Sequence, residues 1–480
     1  MTISMENRNH SILNTDRIGS LLFKLTLPAF LGMFVQTLYN VISTIFVGHY
    51  VGPLGIGGLT IVFPLQMLSF GFGMMVGIGG ASLISRQLGG QKHSEAEKTL
   101  GNGFTISLIL SVIVAIVVLP FMDFWLRLIG ASDAILVHAK DYLMFIISGS
   151  FFTIFSTALL SFARAEGNAR VGMTAMILGA GFSIALSWLF IVVLNMGVKG
   201  AGLATIISQA ISMSYLLAYY LTGSSYLKIR ISNFKPDLKI LKDMFAVGIS
   251  AFTQTVASSL SAMIMINLVV SYGGDITLSA FGIVQRLMMF AMMPGMVIGQ
   301  GAQPILGYNY GARRYHLLLK TISIAAITST TLSILVFAVF YFSPEPLIRI
   351  FSNDPALVTE GAHVAKLTLL AMPLMGAIHL GTQMFQAIGK GVQAFITAIV
   401  RPVVFMIPLV FILSNAWQLN GVLLSFPASD FLTFILILVM ISPIIRQFRK
   451  SARLKSEDEG DPLSPGQLTE PVKVEVDERR

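Results

Sequence analysis

The stretch Gly73-Met-Met-Val-Gly-Ile-Gly79 returns 222 residues later as Gly295-Met-Val-Ile-Gly-Gln-Gly301. The register holds on both sides. Ile61-Val62 matches Ile283-Val284, Leu65 matches Leu287, Gly89 matches Gly311, Arg127 matches Arg349 and Gly167 matches Gly389. One half of the chain is therefore a diverged copy of the other, and such a repeat constrains the whole architecture before any single element is assigned.

Composition says what is repeated. The 480-residue chain is 55% hydrophobic and only 11% charged, against roughly 25% charged in soluble proteins. Apolar runs of the ~20 residues needed to cross a bilayer recur along its length. The pattern gives twelve helices, near 21–48, 56–85, 98–126, 137–164, 171–195, 200–222, 241–272, 277–307, 315–342, 362–388, 393–414 and 420–445. The expected fold is an all-α membrane protein with two six-helix lobes, 21–222 and 241–446. A polar, basic linker at 223–240 joins them, after an N-terminal segment 1–20 and before a disordered tail 447–480. Copies of an even-numbered unit enter the membrane in the same direction, so their pseudo-twofold axis runs along the membrane normal.

The absence of cysteine excludes disulfides and thiolate chemistry. The first twenty residues are polar (Glu6, Asn7, Arg8, Asp16, Arg17) and lack a signal-peptide apolar core. The first span is therefore expected to serve as an uncleaved insertion signal. A net charge of +9 suggests no nucleic-acid partner, because the charges sit in alternate connections. One side carries 22 Lys and Arg, including Arg86, Arg164, Arg170, Lys228, Arg313 and Arg446; the other carries Arg127, Lys140, Lys199 and Arg349. By the positive-inside rule both termini are expected in the cytoplasm, with the protein in the cell (inner) membrane.

Polar side chains at bilayer depth tend to face a cavity or another helix. Helix 1 carries Gln36, Tyr39, Asn40 and Ser43 on one face. Helices 5 and 6 carry Ser183, Ser187 and Gln209, and helices 7, 8 and 10 carry Gln254, Gln300, Gln303 and Gln383. Each is either an interhelical hydrogen-bonding group or part of a cavity wall; the recurrence of Gln-Thr in the first helix of each half, Gln36-Thr37 and Gln254-Thr255, favours a wall for the glutamines. The repeated glycines form small-xxx-small patterns, which points to close helix packing. Charge at depth is sparse: Arg286 in helix 8, Arg401 in helix 11, and Asp430, about 15 Å into helix 12 at 1.5 Å per residue. Asp430 pairs with Arg286 or Arg401, binds a coupling ion, or is protonated.

Three segments carry a family resemblance. Leu38-Tyr-Asn-Val-Ile-Ser-Thr-Ile-Phe-Val-Gly48, Asn195-Met-Gly-Val-Lys-Gly-Ala-Gly-Leu-Ala-Thr-Ile-Ile-Ser-Gln209 and Gly301-Ala-Gln-Pro-Ile-Leu-Gly-Tyr-Asn-Tyr-Gly-Ala312 resemble multidrug and toxic compound extrusion (MATE) transporters. The resemblance runs from about Gly19 to Arg446 and includes Ala165-Glu-Gly-Asn168 and Phe426-Pro-Ala-Ser-Asp430. It implies export of small amphiphilic compounds against inward Na⁺ or H⁺, by a monomer in the lipid bilayer with no cofactor beyond the coupling ion.

The departures bear on coupling. Many relatives carry an Asp where this chain has Ser43, and an Asn and an Asp where it has Ser183 and Ser187. A hydroxyl ligates Na⁺ weakly and does not titrate near neutral pH. That leaves Asp430 as the coupling candidate, with Gln36, Tyr39, Asn40, Ser43, Ser183, Ser187, Gln209, Gln254, Arg286, Gln300, Gln303, Gln383 and Arg401 as cavity candidates. Arg286 and Arg401 also admit an anionic or lipid-linked cargo. An intramembrane enzyme would need clustered catalytic groups, and only His379 and Asp430 are available.

Overall fold

The computed structural model describes residues 12–351 and 354–458. Among these, helix α1 spans Ile18–Tyr50, α2 Pro53–Gly89 and α3 His93–Val118. Helix α4 is bent by 50° between Asp133–Ser148 and Ser150–Ala165. Helix α5 spans Ala169–Val193, α6 Gly197–Leu221, α7 Leu238–Gly274, α8 Ile276–Gly311 and α9 Tyr315–Phe342. Helix α10 is bent by 50° between Pro355–Thr368 and Met372–Ala387. The last apolar segment, Gly391–Leu454, breaks at Trp417 and Gln418, where φ of Gln418 is 48°. It therefore supplies α11 (391–416) and α12 (419–458), and twelve spans result.

The repeat is written into the backbone at the same offset. α4 begins at Asp133 and α10 at Pro355; they end at Ala165 and Ala387, and both bend midway. The turns α1–α2 and α7–α8 each pivot on a glycine in the left-handed region, Gly52 (φ 90°) and Gly274 (φ 71°), where a Cβ would clash with the following carbonyl. Gln91 and Arg313 repeat the same left-handed conformation after α2 and α8 (φ 59° and 54°).

Two boundaries differ notably from the sequence reading. α3 stops at Val118, because Pro120 lacks the N–H that would continue the ladder. A short 3₁₀ turn, Leu119–Phe121, and the amphipathic helix Met122–Ile129 follow. α12 continues to Asp458, so residues 447–458 are helical rather than tail; the remainder of the expected tail lies outside the described residues. The 223–240 linker is pinned to the N-terminal half of α3. Asn102 Oδ1 accepts from the Asp237 N–H at 2.7 Å, Thr105 Oγ1 donates to the Phe234 carbonyl at 2.7 Å, and Arg230 pairs with Glu97 at 3.1 Å.

The glycine motifs pack helix against helix. Gly73 and Gly77 abut Thr157 and Ser161 on α4, and Gly295 abuts Gly376 on α10, so these contacts stay inside one lobe. Gly79 abuts the Met244 carbonyl on α7 and Gly301 abuts Thr26 on α1, so the last glycine of each copy faces the opposite lobe. These lobe-to-lobe contacts are one-sided. Along α2 they run from Gly71, against Phe252 and Thr255, to Gly89, against Tyr308. Phe72 stacks on Phe252 at 4.7 Å. The other end of α2 packs within its own lobe, Gly57 on Ile135 and Gly58 on Ala139. The lobes meet at the ends of the helices that carry the Lys/Arg-rich connections, hereafter the basic side.

Candidate functional site

The first lobe contains a cavity with about 1200 Å³ of atom-free space, counting its mouth. Gln36 and Tyr39 of α1, Ser156 and Arg164 of α4, Ser183 of α5, and Thr205, Gln209 and Ser212 of α6 supply its polar wall. Met33, Met74, Met173, Met176 and Met296 supply much of the apolar wall. Unbranched, polarizable methionines adapt to ligands of different shape. Two of the hydroxyls are held by their own helix and two cross to a neighbour. Ser208 Oγ donates to the Ala204 carbonyl at 2.6 Å and Thr205 Oγ1 to that of Ala201 at 2.9 Å. Ser212 Oγ crosses to the Ala175 carbonyl of α5 at 3.0 Å, and Ser156 Oγ donates to Gln209 Oε1 at 3.0 Å, which fixes that amide's orientation.

At the basic end of this cavity Arg164 donates to Gln300 Oε1. Arg164 belongs to the first lobe and Gln300 to the second, so the bond links the lobes. A smaller void adjoins it, lined by Ser161, Arg164, Gln300, Gln303 and Gln383 among others. Sequence reasoning counted Arg164 among the loop cations. It sits in the last turn of α4, and the last-turn position alone does not separate a loop charge from one turned inward.

The structure thus gathers Gln36, Tyr39, Ser183, Gln209 and Gln300 around the large cavity and Gln300, Gln303 and Gln383 around the small one. Ser43, Ser187, Gln254, Arg286, Arg401 and Asp430 line neither. Ser187 is buried and Ser43 Oγ is enclosed without a partner. The side chain of Asn40 lies outside the described residues.

Arg286 is exposed and is not the partner of Asp430. That partner is Arg401, whose Nε donates to Asp430 Oδ1 at 2.5 Å, with Asp430 almost fully buried. Arg401 lies in a π-helical stretch of α11, Val400–Phe405, and Ser261 Oγ of α7 donates to the Pro402 carbonyl there at 2.5 Å. Widened turns of this kind occur frequently at functional sites. His379 of α10 has its Nε2 buried without a partner.

Sequence reasoning passed over a second carboxylate, within the Ala165–Asn168 motif. Glu166, just beyond the last turn of α4, is buried, and its Oε2 accepts from Ser225 Oγ at 2.7 Å, Tyr226 N–H at 3.0 Å and Tyr219 Oη at 3.2 Å. Burial pushes its carboxyl up to about 7 against these three bonds, which favour the charged form.

Two pseudo-symmetric six-helix lobes, sealed on one side and holding a polar-lined cavity, define a multi-pass membrane carrier. The MatE family profile matches the chain twice, over residues 28–189 and 250–412, so the two matches begin at the repeat offset. The chain belongs to the MatE family and is a membrane transporter, not an enzyme. It is 28% identical over 400 residues to the multidrug export protein MepA of Staphylococcus haemolyticus (strain JCSC1435), covering 83% of this chain and 88% of that protein. Among solved structures, the MATE multidrug transporter DinF-BH is 40% identical, with a TM-score of 0.84, covering 89% of this chain and 96% of that one. A multidrug resistance MATE family transporter in an outward-facing conformation shares the fold at TM-score 0.87 and 24% identity, covering 92% and 98%.

Proposed function

We propose that this chain is a secondary active exporter of small amphiphilic compounds, monomeric in the cell (inner) membrane, that exchanges its cargo for inward Na⁺ or H⁺ by alternating access. The observation that carries this reading is the methionine- and glutamine-lined cavity in a carrier whose lobes are joined only toward one side. The basic side is the cytoplasmic one by the positive-inside rule, so the conformation is outward-open. The similarity to MepA, a multidrug export protein, and to DinF-BH, a multidrug transporter, supports the cargo class.

Coupling is assigned to Asp430. Its ion pair with Arg401 joins α12 to α11 inside the second lobe, and a proton or Na⁺ arriving at the carboxylate displaces the guanidinium and loosens that joint. The buried pair is a two-state element, because removing either charge leaves the other uncompensated at several kcal/mol.

The deciding experiment is substrate-dependent ion flux in proteoliposomes with Na⁺ and pH gradients imposed separately, using a panel of cationic, neutral and anionic amphiphiles. Export that follows one gradient, and loses it in Asp430→Asn, is expected. Gradient-driven export that persists in Asp430→Asn overturns the coupling assignment; no export under either gradient overturns the exporter reading.

A further inference from the structure

We infer that the basic end of the first-lobe cavity is an oxyanion subsite, in which Arg164 and Gln303 receive the carboxylate or phosphate group of an amphiphilic cargo. The inference rests on the exporter reading and gives it a substrate charge. Among the described residues, Arg164 is the only charged one that lines either cavity. Among the described residues no carboxylate pairs with it. Its side-chain bonds go to Gln300 Oε1 and, at 3.4 Å, to the Leu160 carbonyl. A guanidinium has five N–H donors in a planar fork suited to two oxygens of one anion, so most of its donor capacity is unspent.

A second donor points to the same place. Gln303 is 9% exposed, lines the void that Arg164 lines, and its Nε2 is enclosed without an acceptor. A buried amide donor without a partner is costly, and an oxyanion between it and the guanidinium satisfies both. The cavity walls offer no carboxylate for a cationic cargo, while the methionines above Arg164 suit an apolar body. An anion seated here competes with Gln300 for Arg164. A charged acceptor binds guanidinium about twice as strongly as the neutral Gln300 carbonyl, so cargo binding weakens a bond that holds the lobes together.

The test uses the full-length chain in phosphatidylcholine nanodiscs and three matched fluorescent probes: 1-pyrenebutyrate, its methyl ester and 1-pyrenemethylammonium. The carboxylate is expected to bind about tenfold more tightly than the ester, with the ammonium weakest. Arg164→Met abolishes this preference. Gln303→Leu, whose change is smaller and keeps the guanidinium, reduces it; ester binding in both variants reports that the cavity is intact. Competition by added phosphatidylglycerol, dependent on Arg164, identifies a lipid headgroup as the anion source; its absence identifies a free amphiphile. Equal or tighter binding of the ammonium, or an unchanged preference in Arg164→Met, overturns the subsite. Binding preference without export of any probe from proteoliposomes overturns the exporter reading and leaves the subsite standing.

Discussion

Gly89 and Gly311, equivalent positions of the two copies, meet across the two lobes. A Cβ on Gly89 would strike the carbonyl oxygen of Tyr308, and a Cβ on Gly311 would strike that of Arg86. Arg86 and Tyr308 are themselves repeat equivalents, so the contact is reciprocal and lies on the pseudo-twofold axis. Neighbouring Ser82 Oγ donates to the Gln386 carbonyl, tying α2 to α10 at the same level. Gly311→Ala or Gly89→Ala forces backbones apart at the seal. Each is expected to cost about 1–3 kcal/mol of overpacking and to raise the basic-side accessibility of the cavity, read by labelling of a cysteine introduced at Ser161.

The seal can be locked covalently. A Cβ on Gly71 would lie 3.8 Å from Cβ of Thr255, the mean separation in a disulfide (~3.8 Å), and the chain has no cysteine of its own. The double variant Gly71→Cys/Thr255→Cys is expected to oxidise spontaneously, arrest transport and recover on reduction. Failure to cross-link under oxidant would place the lobes differently from the arrangement described.

Charge removal in the second lobe should be non-additive. Arg401→Met strands a buried carboxylate and is expected to lower stability by ~3–5 kcal/mol. The pair Arg401→Met/Asp430→Asn, having no charge to strand, recovers most of that loss, as measured by thermal inactivation of the purified protein. Additive losses would show that the two side chains do not act as a pair.

Glu166 gives the fold a pH dependence of definite sign. Its carboxyl stands near 7, above the ordinary value of 4.5, because it is buried. Below that ordinary value both folded and unfolded chains hold the proton and no penalty exists. Between there and about 7 only the folded chain holds it, so stability falls as pH rises, by on the order of 3 kcal/mol, and levels off above. Glu166→Gln should flatten the inactivation midpoint across that window and exceed the parent at pH 8. A parent curve that rises with pH from 5 to 7 while the variant stays flat would reverse the sign assigned here.

Filling the first-lobe cavity should stop cargo without unfolding the protein. Met176 and Met173 line it from α5, and Met176→Trp occupies the space of an apolar body. Export is expected to drop about tenfold, with the inactivation midpoint shifted by no more than the ~1–3 kcal/mol that overpacking costs.

Ser43 and Ser187, the hydroxyl positions singled out in helices 1 and 5, reach neither of the described cavities. The alternatives left open for Asp430 narrowed for a geometric reason: Arg286 and Arg401 are equally basic in the sequence, but α8 turns the first outward while α11 turns the second onto α12. Arg164 shows the converse. It ends a span, a position that the positive-inside pattern assigns to a loop, yet the α4 bend and the abutting α8 fold it into the cavity.

By itself the sequence determined the twelve spans and the two-lobe repeat, because bilayer burial and duplication act on residue type and spacing, which one dimension records. Which lobe holds the cavity, which arginine neutralises Asp430, and which amide meets Arg164 were decided only by the tertiary structure. These depend on the rotation of each helix about its axis and on where the lobes touch, and helix rotation is set by contacts between residues far apart in the chain.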